Sequence, residues 1–149
     1  MAVKTQPDGF NTITPHLLVQ DPEKQIEFLK QTFGAQEVEL IKKEDGSVVH
    51  AEFRIGDSLV MLSQSSEKSP PMPCTLYVYV ADADATYKKA LASGADSLQE
   101  PADQFYGDRN AGVKDQCGNH WWIATHIEDV SAEEIQRRST ALAESKAQG

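Results

Sequence analysis

At 149 residues the chain is long enough to bury the core of one domain and short for two. It carries 23 acidic against 14 basic residues, a formal net charge of −9, which repels phosphate backbones and anionic lipid and sets nucleic acid and membrane aside as partners. Its apolar runs, such as Leu59–Leu62, fall far below the roughly 20 residues needed to cross a bilayer.

Alternation runs from Asn11 to Gln20, with Ile13, Leu17 and Val19 on one face and Thr14, His16, Leu18 and Gln20 on the other, and predicts a first strand. Asp21 then reads as an N-cap with Pro22 at the first helical position. The apolar stripe of Ile26, Phe28, Leu29 and Phe33 closes at Gly34. Three strands follow, Val38–Lys43, Val48–Ile55 and Leu59–Ser63, parted by turns at Asp45-Gly46 and Gly56-Asp57. The serine- and proline-rich stretch Gln64–Pro73 reads as a connection between halves.

The same order then recurs. Thr75–Val80 alternates, Asp82 opens a helix and Gly94 ends it, at offsets of 61 and 60 residues from Asp21 and Gly34. Val19-Gln20-Asp21 matches Val80-Ala81-Asp82, Phe33-Gly34-Ala35 matches Ser93-Gly94-Ala95, and Gly56-Asp57 matches Gly118-Asn119. Such self-similarity marks a duplication. The chain is expected to be one α+β domain, 1–149: module one 11–65, linker 66–73 and module two 74–127, each βαβββ. The Ser131-x-x-Glu134 spacing of a capping box predicts an extra C-terminal helix over 131–146, exposed or covering a dimer contact. Each module puts one helix on the back of its sheet, leaving the other face to line a cupped cavity.

Further stretches sharpen this: Ile13-Thr14-Pro15-His16, Ile26-Glu27-Phe28, His50 through Ser58, Gly107-Asp108-Arg109, Asp115 through Trp121, Thr125-His126 and Glu128 through Ser131. Spread over about residues 11 to 135, they make the chain resemble the vicinal oxygen chelate superfamily of glyoxalases, bleomycin-resistance proteins and extradiol dioxygenases, and within it the PhnB-like branch. The resemblance implies a curved mixed sheet built from the two modules, the glyoxalase/bleomycin-resistance fold. It also implies a homodimer in which modules of two subunits complete each cup. Where relatives carry Asp-Pro-Phe-Gly, this chain has Asp115-Gln116-Cys117-Gly118, a change expected to loosen that loop.

Enzymes of that superfamily hold a divalent metal on the first and last strands of each module. The corresponding positions here are Thr14, seven residues before Asp21; Thr75, seven before Asp82; Met61; and Trp122, four after Gly118. None is a ligand of the zinc, iron or nickel type, so no cofactor is expected at the inherited site. A rebuilt set of His16, His120 and Glu52 is the less favoured alternative, and would serve a glyoxalase-like lyase, isomerase or dioxygenase.

Alternation turns Thr75, Tyr77 and Tyr79 away from the helix and sends Trp121 and Ile123 into the core. The expected ligand-binding residues are therefore Thr14, His16, Thr75, Tyr77, Tyr79, Tyr106, Arg109, His120 and Trp122. Their aromatic walls and polar tips suit a flat or amphipathic small molecule, though a dimer interface would account for some of them. Arg109 is either an anion clamp or a bridge to Asp108 or Asp115. His50 and Glu52 share a strand face, as a catalytic acid/base pair or, more readily, as members of a solvated cross-strand ion pair; His126, at a strand end, reads as structural. Met1–Asp8 lacks an apolar signal core, and Cys74 and Cys117 are too few for a disulfide framework, so a cytoplasmic setting with both thiols buried and inert is expected.

Overall fold

The computed structural model describes residues 2–148. Chain order is β1 (His16–Val19), α1 (Pro22–Phe33), β2 (Gln36–Lys42), β3 (Val48–Ile55), β4 (Ser58–Gln64), β5 (Thr75–Tyr79), α2 (Ala83–Ala92), β6 (Asp96–Asp103), β7 (Asp108–Lys114), β8 (His120–His126) and α3 (Ala132–Gln148). The strands form two separate four-stranded mixed sheets, β1-β4-β3-β2 and β5-β8-β7-β6, in which β1 runs parallel to β4 and β5 parallel to β8. The duplication is thus preserved down to strand order, and the architecture is the α+β glyoxalase/bleomycin-resistance fold with an added C-terminal helix.

The local rules act as the sequence predicts at both helix starts. Asp21 caps α1 by accepting from the Lys24 amide, and Asp82 caps α2 by accepting from the Ala85 amide. Gly34 closes α1 in the left-handed conformation at φ 64°, where a side chain would be strained. The first strand is shorter than its alternation suggests. Pro15 has no N–H for a ladder, the parallel pairing with β4 begins at His16, and Ile13 is exposed. At α3, Ser131 accepts from the Glu134 amide, but the Glu134 carboxylate turns to Arg137 and Arg138, so only half of the capping box forms.

The modules meet through their helices, α1 against α2, and one apolar core runs through both. Trp121 of β8 lies against Phe28 and Phe33 of α1, with ring centroids 5.8 and 5.1 Å apart. Beside it, fully buried Gln25 donates to Asp115 Oδ2 at 2.9 Å and accepts from Asn119 Nδ2 at 2.8 Å. Asp115 also accepts from the Cys117 and Asn119 amides and the Trp121 indole. The Asp115–Gly118 loop is therefore tied down, against the expectation that its altered sequence loosens it. With both helices inward, each sheet keeps its far face open: in β5, Tyr77 and Tyr79 are exposed while Leu76 and Val78 turn in. Among the described residues, no helix is long and apolar enough to cross a membrane.

Candidate functional site

The open face of module two carries a connected polar network under aromatic rings. Buried Asp108, at the start of β7, accepts from the Tyr77 hydroxyl at 2.6 Å, the Tyr79 hydroxyl at 2.9 Å and His126 Nδ1 at 2.9 Å. Burial alone would raise its pKa, but the bonds from Tyr77, His126 and Tyr79 outweigh it and hold the carboxyl below its ordinary value. In return, burial and then the Asp108 bond push the Tyr77 phenol well above its usual range. His126 is raised by its bonds to Asp108 and then Asp129.

Two residues along β7, Asn110 uses all of its amide capacity. Its Nδ2 donates to the Tyr77 and Tyr106 hydroxyls at 3.1 and 2.7 Å, and its Oδ1 accepts from Gln99 and Gln104 at 3.0 and 3.1 Å. These side chains and Trp122 line a hollow of about 320 Å³. Trp122 can lie flat there because its cross-strand partner is glycine: a Cβ on Gly112 would meet the indole ring at 2.6 Å. A larger cleft, about 650 Å³, runs between the modules on the helix side. Phe33, Val60, Leu76 and Trp121 give it apolar wall, Asp57, Thr86 and Lys89 give it polar wall, and Tyr77 and Tyr79 of the Asp108 network border it as well.

On module one, β3 and β4 place His50 opposite Ser63, and β1 brings His16 alongside. The Ser63 hydroxyl lies 2.8 Å from both His16 Nε2 and His50 Nδ1, and His50 Nε2 is 3.3 Å from Glu52 Oε2. The His50–Glu52 contact follows one strand rather than crossing between strands. Glu52, buried at the base of this face, also borders a hollow of about 620 Å³ roofed by Thr5–Thr12 of the N-terminal segment.

The expected site residues divide between these faces. Tyr77, Tyr79, Tyr106 and Trp122 share module two's open face; Thr75 and His120 sit side by side at one end of the same sheet. His16 belongs to module one, and within one chain it does not approach His120. Thr14 precedes β1 and bonds locally to the Asn11 carbonyl. Arg109 bridges neither Asp108 nor Asp115: it holds Asp84 of α2 with two bonds, at 2.8 and 3.0 Å, and Asp103 with a third, so its guanidinium is committed to the scaffold. Both cysteines are half-buried free thiols; burial raises the pKa of each, Cys117 to about 11, leaving little nucleophilic thiolate.

A divalent ion, which the fold family implies, does not fit these residues. The inherited positions present two threonine hydroxyls, a thioether and an indole, and among the described residues no three His, Cys, Asp or Glu side chains converge as ligands, the His16–His120–Glu52 set included. Sequence reading missed Asn110, Gln99, Gln104 and Ser63. The last was within reach: counting back along the hairpin from Ile55 opposite Ser58 puts Ser63 opposite His50.

Comparison with known proteins agrees with the architecture. The uncharacterized protein Mb0911c of Mycobacterium bovis is 32% identical over 147 residues, spanning 91% of this chain and 94% of the relative. The uncharacterized protein Rv0887c of Mycobacterium tuberculosis is equally similar, with 84% of its length covered. Among solved structures, TioX from Micromonospora superposes with a TM-score of 0.67 at 24% identity, over 78% of this chain and 99% of that one. The fosfomycin resistance protein FosX from Mesorhizobium loti does so at 0.59 and 19%, over 83% and 95%. At these identities the two structures speak for the fold alone. The family profile for the Glyoxalase/Bleomycin resistance protein/Dioxygenase superfamily matches residues 9–123, most of both modules. This chain belongs to that superfamily.

Proposed function

We propose that this protein binds an aromatic or amphipathic small molecule on the open face of module two, without the divalent metal used by enzymes of the superfamily. The observation that carries the reading is the hollow between Tyr77, Tyr106 and Trp122, whose polar floor is already bonded through Asn110 and Asp108. A floor fixed in this way costs little to organise when a ligand arrives, and its rings offer flat apolar area with hydroxyl and amide tips. The half-exposed rings of Tyr77 and Tyr79 also suit a homodimer, in which a second copy closes the cup over this face. The Gly107-Asp108-Arg109 and Glu128–Ser131 stretches favour the PhnB-like branch, and we place the protein in the cytoplasm.

The test is a fluorescence screen of planar aromatic compounds against the metal-free protein, with native mass spectrometry to read stoichiometry and subunit number. Binders are expected to change Trp122 emission, and Trp122→Phe should remove that change while Tyr106→Phe weakens binding. Ligands that bind only after a divalent ion is added, or that perturb only residues of module one, would overturn the reading.

A further inference from the structure

The open face of module one holds four polar side chains in a row, His16, Ser63, His50 and Glu52, and their bonding can be worked out proton by proton. Ser63 Oγ has one proton and lies 2.8 Å from a ring nitrogen on each side. It therefore donates to one imidazole and accepts from the other. Glu52 decides which. Its carboxylate is buried, and among the described residues its only hydrogen-bond partner is His50 Nε2. A buried carboxylate needs a donor, so the neutral His50 carries its proton on Nε2 and presents a lone pair at Nδ1. Ser63 must then donate to His50 Nδ1, and His16 Nε2–H donates to Ser63 Oγ. The opposite arrangement would set the His50 Nε2 lone pair against the Glu52 carboxylate.

We propose that Ser63 is a nucleophile, with His50 as its base, Glu52 as the positioning residue that fixes the His50 tautomer, and His16 as a donor that eases negative charge on the attacking oxygen. The inference is independent of ligand binding on module two. In the reaction, Ser63 Oγ forms a bond to an acyl carbon while its proton passes to His50 Nδ1. The bond to the leaving alkoxide or phenoxide then breaks with its electron pair, and that group takes the proton back from His50. Water next attacks the acyl-serine, giving its proton to His50, which returns it to Ser63 as the acid departs. Because β4 lies between β1 and β3, its amides serve the sheet ladder and offer no pair of free N–H groups to an oxyanion. The substrate class is therefore activated esters, whose leaving groups carry more of the barrier themselves.

The experiment is covalent labelling of the full-length protein with a fluorophosphonate, where the Ser63 oxygen bonds to phosphorus as fluoride leaves, located by peptide mass spectrometry. Hydrolysis of p-nitrophenyl acetate runs alongside. The adduct is expected on Ser63 and should disappear in Ser63→Ala. In Glu52→Gln the amide donates to His50 Nε2, moves the His50 proton to Nδ1 and slows labelling by on the order of 10- to 100-fold. Nitrogen-15 NMR of the imidazoles reads that tautomer directly and does not depend on turnover. Absence of an adduct, an adduct on a tyrosine instead, or a Glu52→Gln protein that keeps both the wild-type tautomer and the wild-type labelling rate overturns the proposal.

Discussion

Trp122 owes its place to a residue with no side chain. The indole lies across β7 at Gly112, and a methyl group there would come within 2.6 Å of it, well inside contact distance. Gly112→Ala is expected to cost about 1–3 kcal/mol through overpacking and to swing the indole off the sheet. A lowered melting temperature with altered near-ultraviolet circular dichroism would show it; an unchanged spectrum would mean the ring does not rest there. His126 supports a second prediction, in which the sign matters. Its bonds to Asp108 and Asp129 raise its pKa above the ordinary 6.5, so its contribution to stability is complete below that value and fades as pH rises through the folded pKa. Asp108 behaves oppositely, contributing above its ordinary 3.8 and losing that contribution as pH falls through its lowered value. The melting-temperature gap between the wild type and His126→Gln should accordingly be wider near pH ~5.5 than near pH ~9. Arg109 shows where residue-level legibility ends: an arginine within seven positions of Asp103, Asp108 and Asp115 announces an ion pair, but the choice of Asp84, from a helix distant in sequence, is made by packing.

Helix starts and hairpin turns were legible because their causes are local. Asp21-Pro22, Asp82, Gly34 and Gly56-Asp57 act through neighbours a few residues away. The length of β1 was not legible, since alternation continues upstream of Pro15 while the pairing with β4 begins only at His16, although β4 itself extends back to Ser58. The same distinction governs α3. It has no buried residue, and Arg138 anchors it to the body by bonding the Phe105 carbonyl and the Glu128 carboxylate. Arg138→Ala should leave the melting temperature nearly unchanged while α3 amides exchange faster with solvent. Faster exchange in β7 or β8 as well would show that the helix supports the sheet.

The duplication could be read from the chain; how the halves join could not. Repeated text sets strand order within each module, whereas the joint depends on Gln25, Asp115 and Asn119, three polar residues that periodicity alone would leave at the surface. Fully buried and mutually bonded between the modules, they make α1 of one half a partner of the β7–β8 loop of the other. Gln25→Leu keeps the volume roughly constant but strands the Asn119 amide, an expected loss of about 1–3 kcal/mol. Both tryptophans belong to module two, Trp121 at the joint with α1 and Trp122 on the open face, so their fluorescence follows that half and the joint, while far-ultraviolet circular dichroism follows both modules. If one core spans the modules, the two signals of the wild type should share a single urea midpoint. In Gln25→Leu the joint weakens, and the curves should move to lower urea and begin to separate. A wild type whose signals already separate would mean that the aromatic contact of Trp121 with Phe28 and Phe33 is too weak to couple the halves.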